Sequence, residues 1–518
     1  MANKAFDPGS MEQFRVLLKN TDSTKQIDIT RLVVELHITE DIFKNTLYGH
    51  VHIRDAIDLL GGQPSSNVKN KFQIIGEEFI EISYKLKDKS SVKLRFATYK
   101  ISDIVYHENN TKKEYTLHFC SEEHLIDAIT LVQKSYNDVN SKNVENILND
   151  YLKISDTTNG KLAKKLVNNQ LTKGIQKVII PRLPPLQACQ FLAKRSISDQ
   201  TFESATYLFF ENFNGFNFCD IEYLIKLGRE KIKSTDTKKS NPFVYFYEQP
   251  TVTDPKNHDP DRQYKTLISI SHRNFFDTIQ KLKMGMFESE MLVYDFANHN
   301  IIPTRFKFLN NTDGTNSNTL TLGNDVGQSF PENSVTFIKD HTSQTDNDRR
   351  FSRQFFIPKD NSFTSAETYL DIIIPARSSY FTRLAQNMFT IMTYGDSDIK
   401  AGDVIILNIP EGDSNNKSAT NKYISGEYLI CTTNHIFTQK TYMTRMDVYK
   451  NAFGAKVLTT EESKTTTITP TDNNSLSNDY NTPQTYVGYE EDVNTLADQK
   501  EQELSDNPIT FFKNLIGL

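Results

Sequence analysis

The 518-residue sequence has no tryptophan and only four cysteines, which lie far apart along the chain. They are Cys120, Cys189, Cys219 and Cys431. No two of them form a C-x-x-C pair, so their spacing excludes zinc-ribbon and thioredoxin-like sites. We expect small buried thiols in a protein that folds in a reducing compartment. Glycine is also scarce, at 20 residues, which argues against collagen-like and glycine-rich repeat architectures.

An excess of basic residues is absent as well. Lys and Arg total 59 against 65 Asp and Glu, which gives a formal net charge of −6 at pH 7. Proteins that grip nucleic acid usually carry a basic excess, because neutralising phosphates drives their binding. The sequence therefore argues against sequence-specific nucleic-acid binding. No apolar run approaches the roughly 18 residues of a membrane span, and the N-terminus lacks a signal-peptide core, so we expect neither a span nor export by the usual route.

What the sequence has in abundance is strand-like alternation. Residues 13–120 alternate apolar and polar side chains through about six runs separated by polar breaks, which predicts a small β barrel or sandwich. From residue 121 the period becomes helical, and Leu125, Ile129 and Val132 fall on one predicted helix face. Strand-like runs return from residue 265.

A repeated hairpin indicates that the β region is duplicated. The stretches "SDIVYHENNTKKEYTLHFCSEE" and "SGEYLICTTNHIFTQKTYMTRMDVYKN" each place Lys-x-Tyr at the start of a second strand. We therefore predict an α+β fold that is mainly β, with two β modules separated by an α+β segment. The predicted domains are a first β module at 11–120, an α+β segment at 121–264, a second β module at 265–308 and 370–455, an inserted subdomain at 309–369, and a linker with a C-terminal docking tail at 456–518.

Histidines offer few candidate metal ligands. His50 and His52 lie two apart on a predicted strand and could supply half of a metal site. No nearby His, Cys or acid completes the set, so two polar residues on a wetted face are the favoured interpretation. His118 and His124 flank a predicted strand-to-helix junction, and the same interpretation is favoured for them. We predict no metal and no cofactor.

Adjacent acids are the candidates for catalysis. They are Glu77–Glu78, Glu122–Glu123 and Glu490–Glu491–Asp492. A glycosidase needs two carboxyls roughly 5–9 Å apart across a cleft, whereas adjacent acids at turns and helix starts are usually solvated caps. The sequence also has no phosphate-binding glycine loop, dinucleotide fingerprint, nucleophile elbow or H-E-x-x-H helix. We predict no catalytic residue and no enzymatic activity.

The end of the chain, "NPITFFKNLIGL", is predicted to be a docking peptide. On a helix, its large apolar side chains share one face; they are Phe511, Phe512, Leu515 and Ile516. A low-complexity stretch from about residue 456 would let this tip reach beyond its own domain. The alternative is that the tip folds back onto its own subunit. Deleting residues 505–518 is expected to leave folding intact while weakening assembly.

Two phrases resemble a known family. "TEDIFKNTLYGHVHIRDA" has an acid-rich turn, then "LYG" and a strand; "AGDVIILNIP" with "SGEYLICTTNHIFTQKTYMTRMDVYKN" has a Gly-Asp turn, a strand, "SGEY" and a paired last strand. These patterns resemble the baseplate hub protein of contractile-tailed bacteriophages, whose superfamily includes the N-terminal half of type VI secretion spike proteins. The resemblance covers roughly residues 11–455.

The resemblance implies a structural virion protein of the tail baseplate, assembled in the host cytoplasm. It implies a homotrimer in which each chain gives two tail-tube-like β barrels, so that three chains join a six-fold tail tube to a three-fold central spike around a channel for genome passage. The implied partners are the central spike protein, a tail tube or tube-initiator protein, and other baseplate proteins. The alternatives are a tail-associated cell-wall hydrolase and a peripheral baseplate or receptor-binding protein.

Overall fold

The computed structural model describes residues 9–451 with gaps, and all of them belong to one unit, Met1–Lys456. The gaps are 22–24, 58, 61–71, 87–88, 108–111, 159–160, 201–203, 235–242, 248–264, 276, 287, 308–353, 360–368, 386, 412–420 and 422–423. The docking tail predicted at 456–518, with its four apolar residues, lies outside the described residues, as does most of the insertion predicted at 309–369. Both stay predictions.

The first β region consists of strands in which buried and exposed side chains alternate. They are β1 (Met11–Lys19), β2 (Gln26–Asp28), β3 (Val33–Asp41), β4 (Tyr48–Asp55), β5 (Phe79–Leu86), β6 (Val92–His107) and β7 (Lys112–Cys120). In β5, Ile80, Ile82 and Tyr84 are buried while the residues between them are partly exposed. This is the period of two that the sequence predicts. The inward side chains form a hydrophobic core.

The middle of the chain is an α+β segment. Its helices are α1 (Glu122–Ile129), α2 (Asn140–Ile147), α3 (Pro185–Ala193) and α4 (Ile221–Ser234), and its strands are β8 (Ser135–Asp138), β9 (Leu166–Asn169), β10 (Gln176–Ile179), β11 (Leu208–Asn212) and β12 (Gly215–Cys219). Strands β11 and β12 form a tight hairpin whose turn is Phe213–Asn214, and Gly215 begins β12. Glycine is required there, because φ is +133° and an added Cβ would lie 2.4 Å from the Lys165 carbonyl oxygen.

The second β region returns to strands and contains two further helices among the described residues. Its elements are β13 (Val244–Phe246), β14 (Ser269–Phe275), α5 (Thr278–Lys283), β15 (Glu288–Asp295), β16 (Asn300–Lys307), β17 (Gln354–Pro358), α6 (Leu370–Leu384), β18 (Asn387–Tyr394), β19 (Val404–Asn408), β20 (Gly426–Phe437) and β21 (Tyr442–Lys450). The predicted fold class, α+β and mainly β, is confirmed.

Both β regions belong to one 13-stranded sheet. Its main path is β14-β18-β21-β20-β3-β4-β7-β6-β5-β1-β2, and β19 branches from β20 and also pairs with β13. Strand β20 forms the junction, because its residues 426–429 pair with β19 whereas its residues 432–437 pair with β3. Within the described residues the path ends at β14 on one side and at β2 on the other. Because β20 pairs with β3 between these ends, the two regions form two halves of one sheet.

The two halves of the sheet share the same strand order. In the first half it is β3-β4-β7-β6-β5-β1, and in the second it is β14-β18-β21-β20-β19-β13. Matched strands also follow one another in the same order along the chain. The pairs match in direction too, except that β13 and β19 are parallel while β1 and β5 are antiparallel. The common order supports the duplication that the repeated hairpin predicts.

The structure divides the strands of the predicted second module between two sheets. Strands β15 and β16 lie in a separate sheet, where β15 pairs with β16 and, in parallel, with β17. Conversely, β13 comes from the end of the predicted α+β segment and joins the large sheet. Alternation identifies a strand but not its partner, which explains why the sequence could not separate these strands. The other predicted boundaries stay predictions.

Candidate functional site

A buried carboxylate joins three parts of the chain. Glu40 lies on the core-facing side of β3 and is fully buried. Its Oε1 accepts the Phe213 N–H at 3.0 Å, in the β11–β12 turn, and its Oε2 accepts the Ala401 N–H at 2.7 Å, in the turn before β19. The Nε2 atom of His435 in β20 lies 3.6 Å from the same Oε1. Glu40 therefore holds the α+β segment and both halves of the large sheet together.

A second buried carboxylate, Glu211 in β11, ties the α+β segment to the first half of the sheet. It accepts the Leu47 N–H at 3.1 Å and the Ser121 hydroxyl at 2.6 Å, and Lys164 Nζ lies 2.6 Å from its Oε1. Burial raises the pKa of Glu211, against the opposing effect of Lys164. Because the carboxylate is surrounded by donors, it acts as a structural acceptor.

Lys164 links Glu211 to a third carboxylate, Glu123. Lys164 Nζ donates to Glu123 Oε2 at 2.5 Å, and Lys161 Nζ lies 3.1 Å from Oε1. Burial disfavours the charge on Glu123, but Lys164 and Lys161 outweigh it and hold the pKa of Glu123 below its ordinary value. In the same way burial opposes the charge on Lys164, but Glu211 and Glu123 outweigh it and raise its pKa. The network is a buried, compensated set of charges.

These groups line a cleft of about 120 Å³ between β6, α1 and the β11–β12 hairpin. Glu122, the neighbour of Glu123, faces Arg95 at 3.1 Å, and burial raises its pKa. The cleft thus contains carboxylates, but each of them contacts a cation. An acid–base pair for glycoside hydrolysis would require one carboxyl to protonate a leaving group and the other to attack or activate water. In this cleft the carboxyls of Glu122, Glu123 and Glu211 are instead held in ion pairs with Arg95, Lys161 and Lys164, respectively.

Of the other adjacent acids, the described pair Glu77–Glu78 does not form such a site. Glu78 caps a turn, accepting the N–H groups of Ile75 at 2.5 Å and of Gly76 at 3.0 Å. The backbone carbonyl of Glu77 accepts a hydrogen bond from the Thr21 hydroxyl at 3.3 Å. The acids at 490–492 lie outside the described residues. Neither Glu40 nor Glu211 was identified from the sequence. The signal that could have identified them is an acidic residue at a strand position that faces the core.

A further ion-paired joint connects the two sheet halves at Asp396. Its carboxylate receives Lys265 Nζ at 2.8 Å and Lys89 Nζ at 3.3 Å. Burial opposes its charge, but the two lysines outweigh it and lower the pKa of Asp396 to about 2. Lys89 belongs to the turn after β5 and Lys265 to the second half, so Asp396 bridges distant parts of the chain.

Replacing Asp396 with Asn is expected to reduce the free energy of unfolding by about 2 kcal/mol at pH 7, because the lowered pKa lies almost two units below the ordinary 3.8. This contribution is fully present above pH 3.8 and is lost as the pH falls towards 2. Urea denaturation at pH 7 and pH 3 measures it. Asp398→Asn is the control, since Asp398 also contacts Lys89 but its side chain is 56 % exposed. An equal loss in both variants would contradict the assignment.

In the first half of the large sheet, the face that points away from the core is polar and carries paired charges. The ion pairs across its strands are Arg15–Asp28 at 2.9 Å, Lys19–Glu81 at 2.6 Å, Arg54–Glu114 at 2.6 Å and Lys85–Glu12 at 2.7 Å. Acids and bases thus alternate across neighbouring strands. On the described strands this face is a mixed surface and not a continuous basic belt.

The predicted histidine and cysteine residues lie in different settings. His50 stands opposite His118 on the neighbouring strand, His52 stands opposite Thr116, and His124 lies on α1. Within the described residues no group of three or more His, Cys, Asp or Glu side chains is arranged to hold a metal ion. All four cysteines are buried free thiols, as predicted. None of the helices that the structure describes combines the length and hydrophobicity needed to cross a bilayer.

No family model matches the sequence, and no curated protein matches it either. The fold is similar to solved structures of a tail protein from Neisseria meningitidis MC58 (10 % identity, 85 % of this chain and 97 % of that chain, TM-score 0.44) and of the prophage MuSo2 43 kDa tail protein from Shewanella oneidensis (9 %, 85 % and 99 %, TM-score 0.45). It is also similar to an E. coli type VI secretion component (7 %, 82 % and 76 %, TM-score 0.36). These structures are described as tail proteins and as a type VI secretion component.

Proposed function

We propose that this chain is a structural protein of a phage-type tail baseplate, namely the central hub that joins a six-fold tail tube to a three-fold spike. The observation that carries the proposal is the common strand order of the two sheet halves, which are joined where residues 432–437 of β20 pair with β3. One chain then presents two similar modules side by side. Three chains arranged around an axis would present six.

A hub of this kind must transmit force without its modules separating. The buried acceptors Glu40 and Glu211, with the Asp396 ion pairs, support this role because they tie both sheet halves and the α+β segment to one another. Removing one partner of a buried ion pair strongly destabilises the folded state, because it leaves the other charge buried and uncompensated. The arrangement favours a rigid adaptor over a cleft that opens for a substrate.

The polar face of the sheet suits the wall of a channel for genome passage. A continuous basic wall would bind phosphates through counterion release and retard DNA. The ion pairs on this face, together with the net charge of −6, support a surface to which DNA does not adhere. In this proposal the chain is a homotrimer in the virion tail, assembled in the host cytoplasm, and has no enzymatic activity.

The proposed partners are the central spike protein, a tail tube or tube-initiator protein and other baseplate proteins. We propose that the C-terminal tip seats on one of these neighbours or on a second hub chain. The apolar set for this contact is Phe511, Phe512, Leu515 and Ile516. Its position at the end of a low-complexity stretch is what supports a role in docking.

The experiment that tests the proposed function is imaging of a tail particle with a label fused to this chain. We expect the label on the tail axis, at the end of the tube, in three copies. A label on the rim of the baseplate would contradict the hub and favour a peripheral or receptor-binding protein. Hydrolysis of peptidoglycan by the purified chain would contradict a purely structural role and favour the hydrolase.

A further inference from the structure

Three histidines form a row across adjacent strands on the polar face of the sheet. His37 in β3 stands opposite His50 in β4, which stands opposite His118 in β7. The rings of His37 and His50 are stacked, with centroids 4.5 Å apart and planes within 14°. The centroids of His50 and His118 are 6.1 Å apart. The register of the sheet brings these side chains together, and their sequence spacing does not reveal it.

The two outer rings of the row have polar partners. His37 Nε2 lies 3.1 Å from Glu35 Oε1, and its Nδ1 lies 3.3 Å from the Asn434 side-chain nitrogen of β20. His118 Nε2 lies 2.7 Å from the Ser102 hydroxyl. The central ring, His50, lies between the other two rings and pairs with no carboxylate among the described residues.

Other charged and titratable groups surround the row on every strand packed against it. They are Glu35 on β3, His52 on β4, Glu114 on β7, Tyr99, Lys100 and Asp103 on β6, and Arg445 on β21 beyond Asn434. Glu114 is already paired with Arg54. Glu35 favours a proton on the central ring, whereas His37, His118 and His52 oppose it.

We propose that the row His37–His50–His118 is a proton-sensitive element that weakens the pairing of β3, β4 and β7 in mildly acidic solution. Neutral imidazoles stack favourably across these strands. Successive protonation places like charges directly opposite one another on neighbouring strands, which is destabilising. Because β3 also pairs with β20 and carries Glu40, the weakening acts at the junction of the two sheet halves.

The surroundings of the rings set the direction of the effect. Burial lowers the pKa of His50, and His37 and His118 lower it further. Burial and Lys100 likewise lower the pKa of His118. An unfolded chain binds protons at His50 and His118 near the ordinary pKa of 6.5, whereas the folded chain resists protonation at these two rings. The contribution of the row to stability is therefore complete above pH 6.5 and declines as the pH falls through the lowered pKa values.

Amide hydrogen exchange of the full chain at pH 7.5 and pH 5.5, corrected for intrinsic exchange rates, tests the proposal. Each unit by which a pKa is lowered corresponds to about a tenfold change in the opening equilibrium. We expect protection in β3, β4 and β7 to fall about tenfold on acidification. In His50→Gln the fall should be less than about threefold. His52→Gln is the matched control, on the same strand and face but outside the row; because His52 has a smaller influence on the pKa of His50 than His37 or His118 has, most of the fall should remain in this variant.

The proposal would be overturned if protection fell equally in the unmodified chain and in His50→Gln. It would also be overturned if His52→Gln reduced this fall as much as His50→Gln does. A second measurement on the unmodified chain does not depend on the variant folding. Nuclear magnetic resonance of ring-labelled histidine should show His50 titrating below 6.5 and its signal shifting as its neighbours titrate. Independent titration of all three rings near 6.5 would also overturn it.

Discussion

Replacing Glu40 with Ala is expected to lower the free energy of unfolding by about 3–5 kcal/mol. The substitution leaves the N–H groups of Phe213 and Ala401 without their acceptor in a buried site, and each unsatisfied donor costs about 1–3 kcal/mol. It also removes a partner of the buried His435 ring. Urea denaturation followed by circular dichroism measures the loss, since the chain has no tryptophan.

Glu35→Ala is the matched control for Glu40→Ala. Glu35 lies on the same strand, but its side chain is 44 % exposed and its Oε1 lies 3.1 Å from His37 Nε2. Exposed pairs contribute about 0–1 kcal/mol, so we expect a loss of that size. Similar losses in both variants would contradict the role of Glu40 in holding the β11–β12 turn and the turn before β19 against β3.

Replacing Lys164 with Met is expected to cost about 3–5 kcal/mol at pH 7, because it leaves two buried carboxylates, Glu123 and Glu211, without the cation they share. Their mutual repulsion would then raise their pKa values. The folded variant would hold more protons than the unfolded chain above pH 4.5, so its stability should rise as the pH is lowered towards 5. Relative to the unmodified protein, we expect it to recover about 1 kcal/mol or more between pH 7 and pH 5.

Lys134→Met provides the comparison for Lys164→Met. Lys134 pairs with Asp150 at 3.5 Å, and both side chains are about half exposed, at 52 % and 54 %. The expected loss is below about 1 kcal/mol and independent of pH in this range. A Lys164→Met variant that is as stable as Lys134→Met at pH 7, or that gains nothing on acidification, would contradict the buried network.

The strand content was predictable from the sequence because side-chain alternation reports it directly. The α+β, mainly β class and the duplicated hairpin followed from that pattern, and in both hairpins the tyrosine of Lys-x-Tyr, Tyr115 and Tyr442, is fully buried. Strand partners are not encoded in alternation. The separate sheet of β15–β17 and the junction between β20 and β3 depend on contacts between residues far apart in the chain.

Helix α1 shows why the buried network escaped prediction. Its apolar residues Leu125 and Ile129 were predicted to share a face, yet they are 39 % and 87 % exposed. The buried side chains of this helix are acids: Glu123 pairs with lysines, and Asp127 accepts the Leu186 N–H at 2.7 Å. Hydrophobic periodicity assumes that the buried face of a helix is apolar. For a helix that buries its acids against fixed donors, it therefore predicts that the wrong face is buried.

The most direct test of the hub is the rotational symmetry of the purified protein, measured by single-particle reconstruction. We predict three chains around one axis, with the two sheet halves of each chain at the same radius, so that six similar half-sheets surround a central channel. A monomer, or a ring in which the two halves lie at different radii and only three-fold symmetry is visible, would contradict the claim that the duplicated sheet lets a trimer match a six-fold tube.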